Sequence, residues 1–180
     1  MKLKIIVGSI SKKSNNMKIA KFIENRYKDK LDIEILDIKE MPMYNEDIEL
    51  DPPQVVLDIK KSAKESDGII FVTPEYNHSI PGVLKNMLDW FSRVERPIAN
   101  KPTMILGATI GFLGTVRGQT HLRQVLNSGG VAAINLPSNE VFISNVEDKL
   151  DKEGNLIDKS TIEYIDKTID NFINWIKKLR

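Results

Sequence analysis

The sequence predicts an α/β domain in which a parallel sheet of five strands is covered by helices on both faces. Short apolar runs, typical of buried strands, alternate along the chain with segments whose apolar residues recur at helical spacing. The run at residues 69–72 is apolar throughout, as expected of a strand buried on both sides of a parallel sheet. At 180 residues, and without an internal repeat or linker, the chain is expected to form one domain over residues 1–180.

The first half of the chain contains three predicted strands and two predicted helices. The strands lie at residues 3–7, 31–36 and 69–72. The first helix starts near Asn16, with Ser14 or Asn15 as its N-cap, because both side chains can accept a hydrogen bond from the first turn. The second helix starts at residues 51–53, where Asp51 is the expected cap and proline suits the first turn.

The second half of the chain continues this alternation. Its elements are a helix from Pro81, a strand at residues 103–108, a helix at residues 121–127 and short apolar pieces at residues 131–134 and 141–143. The two apolar pieces are expected to be the fifth strand and its extension. The last helix is predicted to start at Ser-Thr-Ile-Glu, residues 160–163, because this pattern matches a capping box.

The order of the elements restricts the topology. Right-handed crossovers between parallel strands leave a doubly wound fold as the main candidate. Five strands and five helices suit the three-layer flavodoxin-like arrangement with strand order 2-1-3-4-5, which binds nucleotides beyond the carboxyl ends of the strands. The loops after strands one, three and four meet at that edge, and they are the most polar or glycine-rich in the chain. These loops cover residues 9–16, 73–80 and 109–118.

The loop after the first strand, residues 8–16, has the composition of an anion-binding loop. Backbone N–H groups at a helix start lack intrahelical partners, and the helix dipole adds partial positive charge. Additional donors are supplied by the side chains of Ser9, Ser11, Ser14 and Asn16. Taken alone, the loop suits the phosphate of a cofactor and an ordinary capped turn equally well. The convergence of the three loops favours a bound ligand.

Motifs and composition exclude several function classes. A P-loop is excluded because Lys12, where glycine is required, precedes the pair Lys13-Ser14. The chain has no cysteine, which excludes thiol catalysis and disulfides, and no histidine or carboxylate spacing indicates a metal site. The net charge of +1 and the lack of a dense basic run disfavour nucleic acid as a partner. We expect a cytoplasmic protein with no membrane segment.

Three segments carry a family resemblance. Residues 73–90, Thr-Pro-Glu-Tyr-Asn-His-Ser-Ile-Pro-Gly-Val-Leu-Lys-Asn-Met-Leu-Asp-Trp, resemble the pattern PEYN-x-S-x-PG-x-LKN-x-x-DW of the NADPH-dependent FMN reductase family. The first loop and residues 117–126 are similar to further segments of that family, and so is the loop at residues 41–47. The family includes bacterial quinone, chromate and azo-dye reductases. The chain departs from it at Ser11, where most members have arginine, and at Thr120, where several have an aromatic residue.

The resemblance implies an FMN site built from the three loops. The residues implied at the FMN phosphate are Ser9, Ser11, Ser14, Asn15 and Asn16. Those implied along the isoalloxazine ring, largely through backbone groups, are Pro74, Glu75, Tyr76, Asn77 and His78. Thr109 and Gly111 are implied at the other side of the ring, where N–H groups can stabilise negative charge at N1 and O2.

Three side chains near this site each have two interpretations. Glu75 either contacts the flavin or is a loop acid or a charge at a helix N-terminus. Arg117 either adds positive charge near the flavin or pairs with Glu140 across an interface, and the pairing is slightly favoured. His121 is interpreted as a packing or surface residue of its helix in preference to a catalytic one, because neither histidine of the chain fits a Ser-His-Asp pattern.

The resemblance implies an NAD(P)H oxidoreductase with a small-molecule electron acceptor. Hydride passes from NADPH or NADH to N5 of FMN and then to a quinone, azo dye, nitroaromatic, free flavin or metal oxyanion, in a ping-pong scheme without a catalytic side chain. A flavodoxin-type electron carrier is an alternative, although the flavodoxin loop pattern and strong acidity are absent. A flavin-binding regulatory protein is a third possibility, suggested by Ser11 and Thr120.

A homodimer or homotetramer is expected. The helix from Pro81 carries more apolar side chains than one inner stripe needs, including Trp90 and Phe91, with Ile80 just before it. Such a surplus predicts a second buried face on that helix. The resemblance also implies an oligomer with flavin sites near the interface.

Overall fold

The computed structural model describes residues 1–180 and contains a single parallel sheet. Its strands are β1 (Lys2–Val7), β2 (Asp32–Leu36), β3 (Gly68–Val72), β4 (Pro102–Ala108), β5 (Ile134–Asn135) and β6 (Val141–Ile143). Neighbouring strands pair in the order β2-β1-β3-β4-β5, which confirms the predicted order. β5 pairs with the start of β4 and β6 with its end, so the two short pieces share the fifth position of the sheet.

Five α-helices connect the strands. They are α1 (Asn15–Tyr27), α2 (Gln54–Lys64), α3 (Gly82–Phe91), α4 (Val116–Leu126) and α5 (Lys159–Leu179). Three predicted helix starts are wrong. The helix predicted at residues 121–127 is α4, which begins five residues earlier, at Val116, within the predicted loop 109–118. Asp51 does not cap α2, because Pro53 is its N-cap and makes no side-chain hydrogen bond. The capping box at residues 160–163 is not used either, because α5 starts earlier, at Asp158, whose side chain accepts a hydrogen bond from the N–H of Thr161.

Each inner strand is buried on both faces. Along β1, Ile5 packs with α1 and α5 on one side of the sheet, and the next residue, Ile6, packs with α2, α3 and α4 on the other. β3 does the same with Ile70 on the first side and Phe71 on the second. This alternation divides the apolar residues into two cores of similar size, which is the three-layer packing that the apolar runs predicted.

The apolar surplus before and along α3 is packed inside the chain. Trp90 is 1% exposed, and Ile80 and Phe91 are buried as well. The Trp90 ring NH donates to the carbonyl oxygen of Pro42 at 2.9 Å, and its ring meets the ring of Tyr44 edge-on at 5.2 Å. These residues therefore form no second face for a partner, and the sequence argument for an oligomer that rested on them is wrong. No helix of the chain is both long and apolar enough to cross a bilayer.

Candidate functional site

The loop that joins β1 to α1, residues 8–14, is shaped by its own serines. Ser11 N–H donates to Ser9 Oγ at 3.4 Å, and Lys13 N–H donates to Ser11 Oγ at 3.2 Å. Ser14 Oγ accepts from Met17 N–H at 3.1 Å, so Ser14 is the N-cap of α1 and one of the two predicted caps is confirmed. The serine oxygens turn the backbone back on itself just before the helix begins.

The start of α1 keeps two backbone donors free. The N–H groups of Asn15 and Asn16 have no acceptor in the chain, since the capping oxygen of Ser14 takes only the N–H of Met17. The ammonium groups of Lys12 and Lys13 make no ion pair and are exposed. Two unpaired N–H groups, the positive end of the helix dipole and two nearby cations form an electropositive cradle of the kind that binds phosphate.

The side chain of Asn16 points away from this cradle. Its amide donates to the carbonyl oxygen of Ala108 at 2.8 Å and accepts from the Ala108 N–H at 2.9 Å. Asn16 is 3% exposed, so both side-chain bonds are buried. A direct bond from this side chain to a phosphate stays a prediction. In the structure the side chain fixes the start of α1 to the end of β4, while the backbone N–H of the same residue faces the cradle.

The turn after β3 presents the second set of predicted residues. Tyr76 and Ser79 exchange two backbone hydrogen bonds, each of 2.9 Å, around Asn77 and His78. Both central residues have left-handed backbone angles, with φ of 50° and 62°. Left-handed angles at both central positions are those of a tight two-residue hairpin turn. Tyr76, Asn77 and His78 are exposed, so the turn offers both backbone and side chains to a ligand.

Glu75 lies at the start of a helix, which agrees with one of its two interpretations. Its Oε2 accepts from the N–H of Gly118, in the first turn of α4, at 2.9 Å. A carboxylate at this position is favoured by the helix dipole. One residue beyond the turn tip, Ser79 Oγ lies 2.8 Å from Nδ1 of His121, also on α4. The His121 ring has no further hydrogen bond, so no carboxylate orients it as a Ser-His-Asp triad requires.

The loop after β4, residues 109–115, forms the opposite wall of a cavity. Thr109 Oγ1 accepts from the N–H of Gly111 at 3.2 Å, and the carbonyl oxygens of Thr109 and Gly111 accept from the N–H groups of Val146 and Asn145, just after β6. The cavity has a volume of about 230 Å³. It is lined by Glu75, His78, Thr109, Gly111, Phe112, Leu113, Thr115 and Arg117. The structure therefore brings predicted residues of the second and third loops together.

Arg117 lines this cavity and makes no ion pair within the chain. The residue that approaches Glu140 is Arg123, with 4.0 Å between Nε and Oε1. Within one chain the slightly favoured pairing is therefore absent, and the guanidinium of Arg117 lies beside the predicted ring site. Pairing of Arg117 with Glu140 across an interface stays a prediction.

Sequence reasoning missed the glycine that lets these loops approach each other. A Cβ on Gly107, near the end of β4, would lie 2.3 Å from the carbonyl oxygen of Thr73 and 2.2 Å from Oγ1 of Thr115. Gly8 is similar, because its Cβ would lie 2.6 Å from Oγ1 of Thr73. Both glycines lie at the ends of strands that lead into the site, and a glycine ending a buried strand was the available signal.

The loops around the cavity expose apolar side chains. Phe112 is 80% exposed, and Ile10, Tyr76 and Ile110 are each more than half exposed. These four residues, which we call the apolar rim, come from all three loops. Apolar groups around a cavity that also contains backbone donors suit a flat ligand with polar edges. The three loops thus expose apolar side chains, whereas Trp90 and its neighbours do not.

A second cavity of about 230 Å³ lies between the ends of β1 and β2. Ser9, Ile10 and Ser11 of the first loop form one side, and residues 35–39 form the other. Asp37 in that second side accepts a hydrogen bond from the N–H of Lys39 at 2.9 Å. The first loop thus borders an open cavity on the side of β2.

Asn86, a residue of the long motif, acts away from the cavity. Asn86 accepts from Tyr44 N–H at 2.7 Å and donates to the Pro42 carbonyl oxygen at 2.8 Å. This fixes the loop at residues 41–49 against α3. At the end of that loop, Glu49 accepts a two-pronged bond from Arg93 and a bond of 2.6 Å from the Tyr44 hydroxyl. These donors lower the pKa of Glu49 to about 2.

Residues 1–148 match the sequence profile described as NADPH-dependent FMN reductase. The chain belongs to the NADPH-dependent FMN reductase family. A relative from Lactobacillus johnsonii, named NADH-dependent flavin reductase subunit 2, is 38% identical over 99% of this chain and 98% of its own. A Burkholderia relative named 2-hydroxy-1,4-benzoquinone reductase is 34% identical over 100% of this chain and 98% of its own.

Solved structures agree with this family assignment. The flavoenzyme NAD(P)H:(acceptor) oxidoreductase FerB from Paracoccus denitrificans superposes with a TM-score of 0.89, at 30% identity, over 98% of this chain and 97% of that one. An archaeal flavodoxin superposes with a TM-score of 0.61 at 12% identity, which shows a shared fold alone. Membership of the NADPH-dependent FMN reductase family thus agrees with the observed topology.

Proposed function

We propose that this chain is an FMN-dependent NAD(P)H oxidoreductase that passes hydride to a small, flat acceptor. The observation that carries the proposal is the position of the free N–H groups of Asn15 and Asn16 at the same sheet edge as the cavity between the second and third loops. A cofactor with a phosphate at one end and a flat ring at the other matches that pair of features.

The residues at the helix start fit the FMN phosphate. Free backbone donors and the dipole of α1 favour the dianion, and the hydroxyls of Ser9 and Ser11 lie in the same loop. Lys12 and Lys13 supply the positive charge that most family members place on an arginine at position 11. An ammonium group gives charge without the paired geometry of a guanidinium, so phosphate binding depends here more on the backbone.

The residues at the cavity fit the ring. The turn at residues 76–79 offers backbone groups along one edge, and Thr109 and Gly111 line the other side. Arg117 adds positive charge, which favours a ring that becomes more negative on reduction. FMN, when bound, supplies the hydride chemistry, and the chain supplies orientation and electrostatics.

The acceptor is proposed to use the same open face as the nicotinamide, so that donor and acceptor bind in turn. The apolar rim provides contact area for aromatic compounds, and the proposed hydride transfer needs no side chain as a general acid or base. Quinones, azo dyes, nitroaromatics, free flavins and metal oxyanions therefore remain open as acceptors, with NADPH or NADH as donor. The relatives' names include an NADH-dependent flavin reductase and a benzoquinone reductase.

We further propose a homodimer or homotetramer in which a second copy of the chain packs beside the apolar rim and leaves the open face free for donor and acceptor. Exposed apolar side chains clustered around a site are typical of an interface or a ligand-binding face. We also propose that the chain forms a single domain over residues 1–180 and is located in the cytoplasm.

Anaerobic spectroscopy tests the function directly. The purified protein is loaded with FMN, freed of excess cofactor, and mixed with NADH or NADPH. Rapid bleaching of the flavin band by either donor, followed by recovery on addition of a benzoquinone, supports the proposal. A protein with no FMN affinity contradicts it. Bleaching by dithionite alone favours the electron-carrier or regulatory alternative.

A further inference from the structure

The turn at residues 76–79 has a backbone shape that glycine adopts more easily than either of its two central residues. Asn77 and His78 both occupy the left-handed region, and neither is glycine. Asparagine and histidine enter this region more often than most other residues, but only glycine adopts it without a steric cost. A turn of this shape persists where neighbouring groups hold it in place. The contacts of the turn with the rest of the chain therefore decide its geometry.

Those contacts lie on one face of α4. On one side of the turn, Glu75 Oε2 accepts from Gly118 N–H at 2.9 Å. On the other, Ser79 Oγ lies 2.8 Å from Nδ1 of His121. Gly118 and His121 are three residues apart, so they lie on the same side of the helix. A Cβ on Gly118 would lie 3.2 Å from both Glu75 Cβ and the Ser79 carbonyl oxygen, which shows how closely the helix and the turn approach.

The same helix continues from the opposite wall of the cavity. Thr115 and Arg117, at the start of α4, line the cavity together with Thr109 and Gly111. α4 is therefore attached to the third loop through the chain itself and to the turn of the second loop through side-chain bonds. His121 makes no hydrogen bond other than the one to Ser79.

We propose that His121 is a positioning residue that acts through Ser79. It holds the turn at residues 76–79 in the left-handed shape that presents its backbone to the edge of the isoalloxazine ring. This inference rests on the proposed function, because FMN is the ligand that the turn is expected to contact. His121 itself is placed outside the chemistry, since it touches Ser79 and not the cavity.

Loss of the Ser79–His121 bond is expected to act on the free protein and on FMN binding. Without that bond, Asn77 and His78 relax towards ordinary backbone angles, and the two hydrogen bonds between Tyr76 and Ser79 open more often. FMN must then restore the turn as it binds, which weakens its affinity about five- to tenfold, the effect of one hydrogen bond. The reduction potential of bound FMN also shifts, because the donors along the ring edge are displaced.

The test uses a set of matched variants of the full chain. Ser79→Ala and His121→Ala each remove the bond. The double variant removes both partners of the same bond, so it loses no further bond. His121→Asn places an amide near the position of Nδ1 and is expected to restore most of the affinity. Gln124→Ala, one turn further along α4 at an exposed position, is the control. FMN affinity is measured by fluorescence quenching, and amide hydrogen exchange of Tyr76 and Ser79 is measured in the cofactor-free protein.

The inference predicts a coupled result. Each single variant weakens FMN binding at least about fivefold and speeds exchange at Tyr76 and Ser79, and the double variant is no worse than either single. The inference is overturned if the single variants match the control in both measurements, or if their effects add in full. If the wild-type protein does not bind FMN, the proposed function fails, and hydrogen exchange in the cofactor-free variants still decides whether His121 holds the turn. If His121→Ala does not fold, Ser79→Ala and His121→Asn carry the test.

Discussion

The side chain of Asn16 takes the place of a strand at the end of β4. Leu106 accepts a hydrogen bond from Thr73 N–H on the side of β3, and two residues later Ala108 faces the same side, where β3 has already ended. Asn16 satisfies both backbone groups of Ala108, with bonds of 2.8 and 2.9 Å. Asn16→Ala removes both partners and leaves a buried N–H and a buried C=O unpaired.

The expected loss of stability follows from those two groups. Each unpaired buried polar group costs roughly 1–3 kcal/mol, so Asn16→Ala is expected to lower the free energy of unfolding by about 3 kcal/mol. With an m-value of about 2 kcal/mol/M for a chain of this size, the urea midpoint falls by about 1.5 M. The neighbour Asn15 is a matched control. Its side chain accepts one part-buried bond, from Lys18 Nζ at 3.0 Å, and leaves no buried backbone group unpaired when removed, so Asn15→Ala is expected to cost about 1 kcal/mol or less.

Urea unfolding of the cofactor-free protein, followed by far-UV circular dichroism, measures both variants. Working without FMN separates the structural role of Asn16 from any effect on cofactor binding. If Asn16→Ala and Asn15→Ala lower the midpoint equally, or if Asn16→Ala changes it by less than the error of the fit, the bond to Ala108 does not stabilise the chain as described.

Three further variants test other parts of the structure. Ser14→Ala removes the N-cap of α1, and we expect a loss of about 1 kcal/mol in urea unfolding together with weaker FMN binding by fluorescence titration. Glu49→Gln removes a carboxylate whose pKa is lowered from its ordinary 4.5 to about 2. The wild type therefore loses stability as the pH falls from 4.5 to 2, and the variant is expected to lose less over the same range. Thermal unfolding across that range measures the difference. Gly107→Ala forces its Cβ against Thr73 and Thr115 and should lower the melting temperature strongly, whereas Gly129→Ala, with open space around its Cβ, should not.

Each of these expectations has a clear contrary result. FMN affinity that is unchanged in Ser14→Ala counts against the proposed position of the phosphate. Equal acid sensitivity of the wild type and Glu49→Gln means that the bonds from Arg93 and Tyr44 do not hold that carboxylate in the folded state. A Gly107→Ala protein as stable as Gly129→Ala means that the loops can separate without cost.

The sheet and its functional edge were accessible from sequence because they depend on local patterns. The apolar residues 69–72 and the polar loop before Asn16 need no knowledge of tertiary contacts, and the crossover rule converts their order into a topology. The split fifth strand was also predictable, since its two apolar pieces are separated by Pro137 and polar residues. The Gly8–Ser14 loop could be interpreted once the topology placed it at the same sheet edge as the other two loops.

The errors arise where a tertiary contact decides between locally equivalent choices. Asp158 and Ser160 are both good caps, and α5 uses Asp158, whose carboxylate also receives Lys149 Nζ at 3.2 Å. Trp90 was expected at an interface because its partners within the chain, Pro42 and Tyr44, come from a loop more than forty residues away in sequence. The bonds of Asn16 to Ala108 and of Ser79 to His121 likewise join distant segments, and no periodicity encodes them.

The most direct test of the central claim compares FMN with riboflavin, which has the same ring and no phosphate. Isothermal titration of the cofactor-free protein with each ligand isolates the contribution of the loop before α1. We predict that FMN binds at least about tenfold more tightly than riboflavin, because the phosphate gains charge-assisted hydrogen bonds from the free N–H groups of Asn15 and Asn16. Equal affinities for the two ligands, or no binding of either, would contradict the claim.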